Sequence, residues 1–235
     1  MDWDSNLFGF PIARIYARDL TEVRLRKILQ RAKEENIEVV ELFCDVSDDK
    51  SIASSEKLGF HLADVRITLK KNPEEDMTED RTLKDLIFKK AGEADIDRLK
   101  TMSKGLFKDS RYYRYQKFDS NNTDLMFQIW VEKSVRGEFD DELYCLYNET
   151  DILAFCSLKY KGNAASIGLL GINSAYRGKG LGSLVLKRVF QLLYKRRVTD
   201  VVVITQGKNS SALHLYQKSG FCVAVLTLCY YKWLD

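Results

Sequence analysis

Apolar positions in the later part of the chain recur with two periods. Leu181, Leu184, Val185, Val189, Leu192 and Leu193 fall on one stripe at helical spacing, which predicts an amphipathic helix from Leu181 to about Lys195. "DVVVIT" at 200–205 is too short and too β-branched for a helix and reads as a buried strand. A helix at about 209–219 and strand-like sequence follow. Upstream, "LIFKKA" predicts a strand, and Ile96, Leu99 and Met102 mark one face of a helix at about 93–105. An irregular aromatic segment, "LFKDSRYYRYQKF", precedes a helix at about 123–135. Two strands, "ELYCLYN" and "ILAFCSLKY", flank the turn residues "ETD", and "ASIGLLGI" adds another.

The first part of the chain predicts a strand at Ile12–Tyr16 and a helix at about 20–35. A strand "VVELFCDV" (39–46), a short helix at 51–58 and a strand from Phe60 to Leu69 follow. A charged linker, "KNPEEDMTED" (71–80), contains Pro73 and suggests a boundary, with units at 1–78 and 79–235. The two parts echo each other. "FCDVSDDKSIASSEKLGF" (43–60) aligns without a gap on "ITQGKNSSALHLYQKSGF" (204–221), at a constant offset of 161. Each reads as strand, polar turn, helix and Lys-x-Gly-Phe, with the Gly suited to a left-handed helix end. A duplicated half-fold is the expectation.

Composition narrows the class. The chain has 235 residues, 45% of them hydrophobic and only two prolines, enough for a substantial core without extensive disorder. No apolar run is long enough to span a membrane. "MDWDSN" lacks a signal-peptide core, and the five cysteines form no C-x-x-C pair. Both features suggest a reducing cytoplasm and free thiols. His61 and His214 give no metal spacing, so no metal is expected. Charge is uneven: residues 1–80 carry 18 acidic against 12 basic side chains, and residues 81–235 carry 16 against 25. A basic second part suits an anionic small molecule. Nucleic acid is not expected, because the cations are scattered apart from "KRR" at 195–197, which reads as a solvated helix end.

The stretch "INSAYRGKGLGSLVLKRVF" (172–190) places Gly178, Gly180 and Gly182 between a strand and a helix, with Arg177 and Lys179 beside them. First-turn N–H groups carry the positive end of the helix dipole, and bare backbone lets an anion approach them. Neither a nucleotide P-loop nor the G-x-G-x-x-G dinucleotide fingerprint is present. On its residues alone the loop reads equally as a tight turn with surface cations.

Arg177-x-x-Gly180-x-Gly182 resembles the R/Q-x-x-G-x-G/A signature of the GNAT superfamily of N-acetyltransferases. "IGLLGINSAYRG" resembles that family's fourth strand and its lead-in, and "NSSALHLYQKSGF" its N-x-x-A-x-x-x-Y-x-x-x-G-F element. The resemblance covers roughly residues 84–235. It implies an α/β (α+β) GNAT acyltransferase fold, a mixed central sheet flanked by helices, here with a degenerate half-GNAT unit in front. It also implies acetyl-CoA as cosubstrate, its pyrophosphate held by Arg177, Gly178, Lys179, Gly180, Leu181, Gly182 and Ser183. Backbone N–H groups near Leu170 and Ile172 and the Asn209 amide would receive the pantetheine arm. Asn209 also reads as a helix N-cap. Tyr216 would be the general acid for the leaving thiolate; on its residues alone it reads as a core-packing aromatic. Asp140, Asp141 and Glu142 are candidates for the general base, although solvated loop charges are the plainer reading.

"WDSNLFGFPIARI" (3–15) and "SRYYRYQKF" are similar to the TDP-fucosamine acetyltransferases, a branch of the family that acetylates the 4-amino group of a nucleotide-linked dideoxy sugar. That similarity implies a small amine acceptor contacted by Arg111, Tyr112 and Arg114. An acceptor of another kind, including a protein amine, and a CoA-binding module without turnover are the competing readings. A homodimer is one arrangement the sequence allows.

Overall fold

The computed structural model describes residues 2–73, 85–115 and 117–234. The expected 78/79 boundary, with most of the charged linker, lies outside the described residues. The strands are β1 (Ile12–Ile15), β2 (Val39–Asp45), β3 (His61–Lys71), β4 (Ile87–Lys90), β5 (Glu142–Tyr147), β6 (Ile152–Lys161), β7 (Ala164–Ile172), β8 (Asp200–Gln206) and β9 (Cys222–Trp233). The helices are α1 (Asp2–Phe8), α2 (Glu22–Glu34), α3 (Asp49–Lys57), α4 (Ile96–Ser103), α5 (Arg111–Arg114), α6 (Ser120–Val135), α7 (Leu181–Lys195) and α8 (Ser210–Lys218). Most match the periodicity within a few residues. α1 and α5 are exceptions: α5 is a single turn inside the segment expected to be irregular, and no helix is apparent in "DWDSNLF", where α1 forms as Leu7 and Phe8 pack against an aromatic cluster.

The strands make one mixed sheet in the order β1-β2-β9-β3-β8-β7-β6-β5-β4. β1 and β2 are parallel, as are β7 and β8, and the other pairs are antiparallel. The order interleaves the two halves of the chain. β9 lies between β2 and β3, and β3 lies between β9 and β8. Each half thus inserts a strand into a slot left by the other.

The sequence echo extends to the geometry. β2, α3 and the start of β3 fall 161 positions before β8, α8 and the start of β9. Asp48 and Asn209 cap α3 and α8 by accepting from the N–H three residues on. Gly59 and Gly220 end those helices with φ of 72° and 85°. Phe60 N and Phe221 N then donate back to Ser55 O and Tyr216 O, each at 3.0 Å.

Period-2 alternation along β6 gives the sheet two apolar faces. Ala154, Cys156 and Leu158 join the cluster under α7, and Phe155 joins the opposite one with Phe127 and Val131 of α6. α7 buries Leu184, Val185, Leu186, Val189, Phe190 and Leu193, each contributing roughly 1.5–3 kcal/mol when fully buried. α2 and α3 cover Val40, Leu42 and Cys44 of β2. The other face of β2 carries Glu41 and Phe43, and beside it lies the wall of a cavity described below. Four cysteines are buried, while Cys222 is exposed.

Candidate active site

β7 leads through a short turn at Ser174–Tyr176 into the glycine loop. Gly178 and Gly180 have φ of 77° and 74°, left-handed values that a side chain resists. Gly180 is the N-cap of α7 and supplies no side-chain oxygen to its first turn, which also lacks an acidic residue. The N–H groups of Leu181, Gly182 and Ser183 are therefore without partners inside the helix and sit at its positive end. A Cβ at Gly178 or Gly180 would meet nothing within 4 Å, so that side of the loop is open. Gly182 differs. A Cβ there would lie 2.9 Å from Leu215 Cδ2, so this glycine admits α8 against α7 as well as baring backbone. Arg177 and Lys179 are exposed, and Lys179 Nζ lies 5.2 Å from the centre of the Tyr176 ring. The Leu181 side chain is buried in the core, which leaves its N–H for the loop.

The loop forms one end of a groove of about 540 Å³ that Leu170, Ile172 and Asn209 continue. The groove follows a gap in the sheet. β7 pairs with β8 only from Ala164/Asp200 to Ile167/Val203. The β7–β6 register also slips between Ile167 and Leu170, a bulge that turns Leu169 N onto Ser157 Oγ at 2.8 Å. Farther along, Asn173 N donates to Leu153 O of β6 at 2.9 Å. Strand alternation then directs the N–H groups of Ile172 and Leu170 to the open side. An extended amide-bearing chain can hydrogen-bond there as an added strand would.

A second cavity, of about 610 Å³, meets this groove. Tyr216, Asn209, Ala212, Leu170, Gln206 and Phe107 line both. Asn209 Oδ1 accepts from Ala212 N and Ser211 Oγ at 3.0 Å, so it caps α8 and still presents its amide nitrogen at the junction. Tyr216 is 5% exposed. Its ring stands edge-on to Phe221 at 5.5 Å, and its hydroxyl has no hydrogen-bond partner among the described residues. Burial pushes that hydroxyl well above the usual tyrosine pKa, and nearby Cys156 adds to the shift. Tyr216 is therefore both a core aromatic and a protonated hydroxyl at the junction. Its counterpart in the echo is Ser55, whose hydroxyl is spent on Ser51 O at 2.6 Å.

The second cavity draws its far wall from the first part of the chain. Arg14, Phe43 and Arg66 join Arg111 there, and the three guanidinium carbons lie 4.7, 5.7 and 5.6 Å from the Phe43 ring centre. Arg14 Nε donates to the buried Glu41 at 2.6 Å. Arg111 donates to Tyr231 Oη at 2.7 Å and Tyr112 Oη at 2.6 Å, and lies 3.5 Å from Glu41. It is thus largely committed to the wall. Tyr112 is buried and stacks on Phe8 at 5.3 Å, so it shapes the cavity more than it offers a free hydroxyl. The Arg114 side chain lies outside the described residues. Arg66, which sequence reasoning did not single out, forms no ion pair among the described residues. Burial, with repulsion from Arg111 and Arg14, lowers its pKa. Asp4 and Asp64 line the same cavity.

The acidic candidates separate sharply. Asp141 is exposed and accepts from Tyr160 N at 2.6 Å. Glu142 is tied to Arg196 and Lys90. Asp140 is no solvated loop charge: it is 5% exposed and lines the second cavity. Among the described residues no three His, Cys, Asp or Glu side chains are placed so that they could hold a metal ion.

The first part of the chain offers no equivalent loop. Thr21 caps α2 with its own hydroxyl on Arg24 N, and Asp19, Asp45, Asp48 and Asp49 crowd the matching concavity. Filled donors and negative charge both disfavour a phosphate there.

Residues 106–221 match the sequence profile of the Acetyltransferase (GNAT) family. A dTDP-fucosamine acetyltransferase of Escherichia coli is 31% identical over 132 residues, which cover 55% of this chain and 56% of that relative. The chain therefore spans little more than half the length of this curated relative in the matched region. A GCN5-related N-acetyltransferase from Sphaerobacter thermophilus superposes with a TM-score of 0.64 at 14% identity, covering 90% of this chain and 66% of its own. A tandem GNAT protein from the clavulanic acid biosynthesis pathway gives 0.61 at 12%, covering 96% and 76%. The fold is that of the GNAT enzymes, and no helix among the described residues is long and apolar enough to cross a membrane.

Proposed function

The chain carries an acetyltransferase domain of the GNAT family, and on that premise we propose that it is an acetyl-CoA-dependent N-acetyltransferase whose acceptor is the primary amine of a nucleotide-linked amino sugar. The observation that carries this reading is the junction at Tyr216. There an open glycine loop and strand gap on one side meet a walled, charged cavity on the other. Two substrates entering from opposite ends would bring their reacting groups together at that point.

The residues fit the cosubstrate. The uncapped first turn of α7, with Arg177 and Lys179, suits a pyrophosphate. The Leu170 and Ile172 N–H groups suit the amides of a pantetheine arm, and one of them can stabilise charge on an acyl oxygen. Acetyl-CoA supplies the activated acetyl group. Tyr216 stays protonated because it is buried, so it can give a proton to a leaving thiolate at neutral pH. Asn209, fixed by its own cap bonds, positions its amide beside it.

The amino-sugar acceptor is supported by the relative's activity and by the cavity's far wall. Arg66 supplies a charge for a phosphate, and Arg111 a rigid backing. The test is thiol release from acetyl-CoA across a panel of amines that includes TDP-4-amino-4,6-dideoxyhexoses, with calorimetric titration of acetyl-CoA alongside. Turnover with the nucleotide sugar and not with the free amino sugar is the expected result. Binding of acetyl-CoA with equal turnover of uncharged amines would remove the nucleotide sugar from the proposal.

A further inference from the structure

Asp140 lies in the short connection between α6 and β5, where a carboxylate would ordinarily be solvated. Instead three donors converge on Oδ2: Trp130 Nε1 at 2.9 Å, Ser134 Oγ at 3.1 Å and Ser157 Oγ at 2.5 Å. Oδ1 has no hydrogen-bond partner among the described residues, and Asp140 lines the second cavity. A buried carboxylate whose one oxygen is saturated and whose other is left to a cavity is positioned to interact with whatever enters.

Its place relative to β7 gives it a task. Gly168 follows Ile167, the last residue of β7 paired with β8, at the start of the strand gap. A Cβ added at Gly168 would collide with the Asp140 carboxylate, falling 2.7 Å from its carboxyl carbon. The carboxylate thus occupies the space a side chain of residue 168 would fill. It stands two residues from Leu170, whose N–H faces the gap. A chain of bonds fixes this placement. Leu169 N donates to Ser157 Oγ at 2.8 Å, and Ser157 in turn donates to Asp140. The bulge in β7, the serine of β6 and the loop carboxylate are therefore one unit.

We infer that Asp140 is the catalytic base of the proposed transfer, its carboxylate standing over β7 in place of a side chain on the strand itself. This rests on the acetyltransferase reading above. Oδ1 accepts a proton from the amine as the nitrogen bonds to the acyl carbon and the carbon–sulfur bond breaks. The departing sulfur takes a proton from Tyr216, and solvent returns the Asp140 proton to the tyrosinate. The balance is one amide and one thiol from one amine and one thioester. The titratable groups around Asp140 are Cys156 of β6, whose thiol burial keeps protonated, and Glu138 and Lys159 at the cavity rim. Lys159 Nζ is held by Phe139 O at 2.7 Å.

The test uses the full chain and the best amine from the panel. Asp140→Asn keeps the shape and an oxygen for the three donors. Its kcat/KM should fall by about 10²–10⁴, with acetyl-CoA affinity and melting temperature retained. Ser157→Ala keeps the carboxylate but removes a bond that fixes it, so kcat should fall by about 10-fold or more with acetyl-CoA affinity retained. Added formate should restore part of the turnover of Asp140→Ala, which a merely structural role would not produce. Wild-type kcat/KM in Asp140→Asn would overturn the inference while leaving the enzyme reading intact. So would wild-type kcat in Ser157→Ala with no formate rescue of Asp140→Ala, if Asp140→Asn fails to fold. A wild-type chain that binds acetyl-CoA and turns over no amine would overturn both.

Discussion

Lys71 and Lys232, 161 positions apart, reach the helix end that closes the other half of the chain. Lys71 Nζ donates to Ser219 O at 2.8 Å, beyond α8. Lys232 Nζ lies 3.1 Å from where a Cβ would sit on Gly59, beyond α3. Each cation meets a helix C-terminus, where it opposes the dipole, and each comes from a strand of the other half. Replacing Lys71 by Met should lower stability by about 0.5–2 kcal/mol, since a charged hydrogen bond and a dipole contact are lost. Urea denaturation of the variant measures this.

The interleaving of β3 and β9 predicts that the halves do not fold apart. Residues 85–235 alone would leave β8 with one unpaired edge and β9 with neither of its partner strands. This fragment should show no cooperative thermal transition, and co-expression with residues 1–73 should restore one. A sharp transition and acetyl-CoA binding in the fragment alone would contradict this.

Gly180→Ala should reduce acetyl-CoA affinity and lower stability together. The residue caps α7 at φ 74°, where an L side chain costs about 1–2 kcal/mol. Calorimetric titration and thermal melting of the same sample separate the two effects. Gly182→Ala should instead act by pushing Leu215 away.

Tyr216→Phe preserves the ring against Phe221 and removes only the hydroxyl. The proposed acid role predicts a kcat lower by about a hundredfold or more, with an unchanged melting temperature. Full turnover in the folded variant would leave Tyr216 as packing alone.

Arg66→Gln should raise KM for a nucleotide-linked acceptor by about 10- to 100-fold, the loss expected for a hydrogen bond to a charged group. KM for acetyl-CoA, and for an uncharged amine, should not change. Initial-rate measurements with both acceptors make the comparison.

Glu142 links β5 to the end of α7 through Arg196. Burial alone would raise its pKa, but bonds from Arg196, Tyr160 and Lys90 outweigh this and pull it down to about 2. The stability it contributes is therefore complete above its unfolded pKa, near 4.5, and is lost as pH falls towards 2. Glu142→Gln should flatten the stability–pH curve in that window, and chemical denaturation between pH 2 and 5 checks it. Added salt should shrink the difference, because Arg196 is partly exposed.

Most of the elements were legible because their signals are local. The stripe on α7, the β-branched run of β8 and the Gly-Phe stops each depend on a few neighbouring residues. The glycine loop was legible for the same reason. Strand order was not, since nothing in "VLTLCYYKW" says that β9 lies between β2 and β3. Asp140 was misread because its burial depends on Trp130, Ser134 and Ser157, contributed by a helix and a strand around its loop. Arg66 was missed because a cation in a strand signals nothing until Arg14, Arg111 and Phe43 are seen around it. Sequence showed that the first half lacks the loop, and only the fold shows that this half walls the second cavity.

During synthesis, the interleaved sheet imposes a schedule on the ribosome. β3 emerges long before β8 and β9, the strands it must lie between, and the last strand in chain order fills the third place in the sheet. A nascent chain therefore cannot join β2 to β3 through their common neighbour until residues 222–233 have cleared the exit tunnel. Such long-range pairing is slow and leaves edges exposed to other chains. Yield should therefore respond to chaperone supply and translation rate more than the stability of the finished protein would suggest.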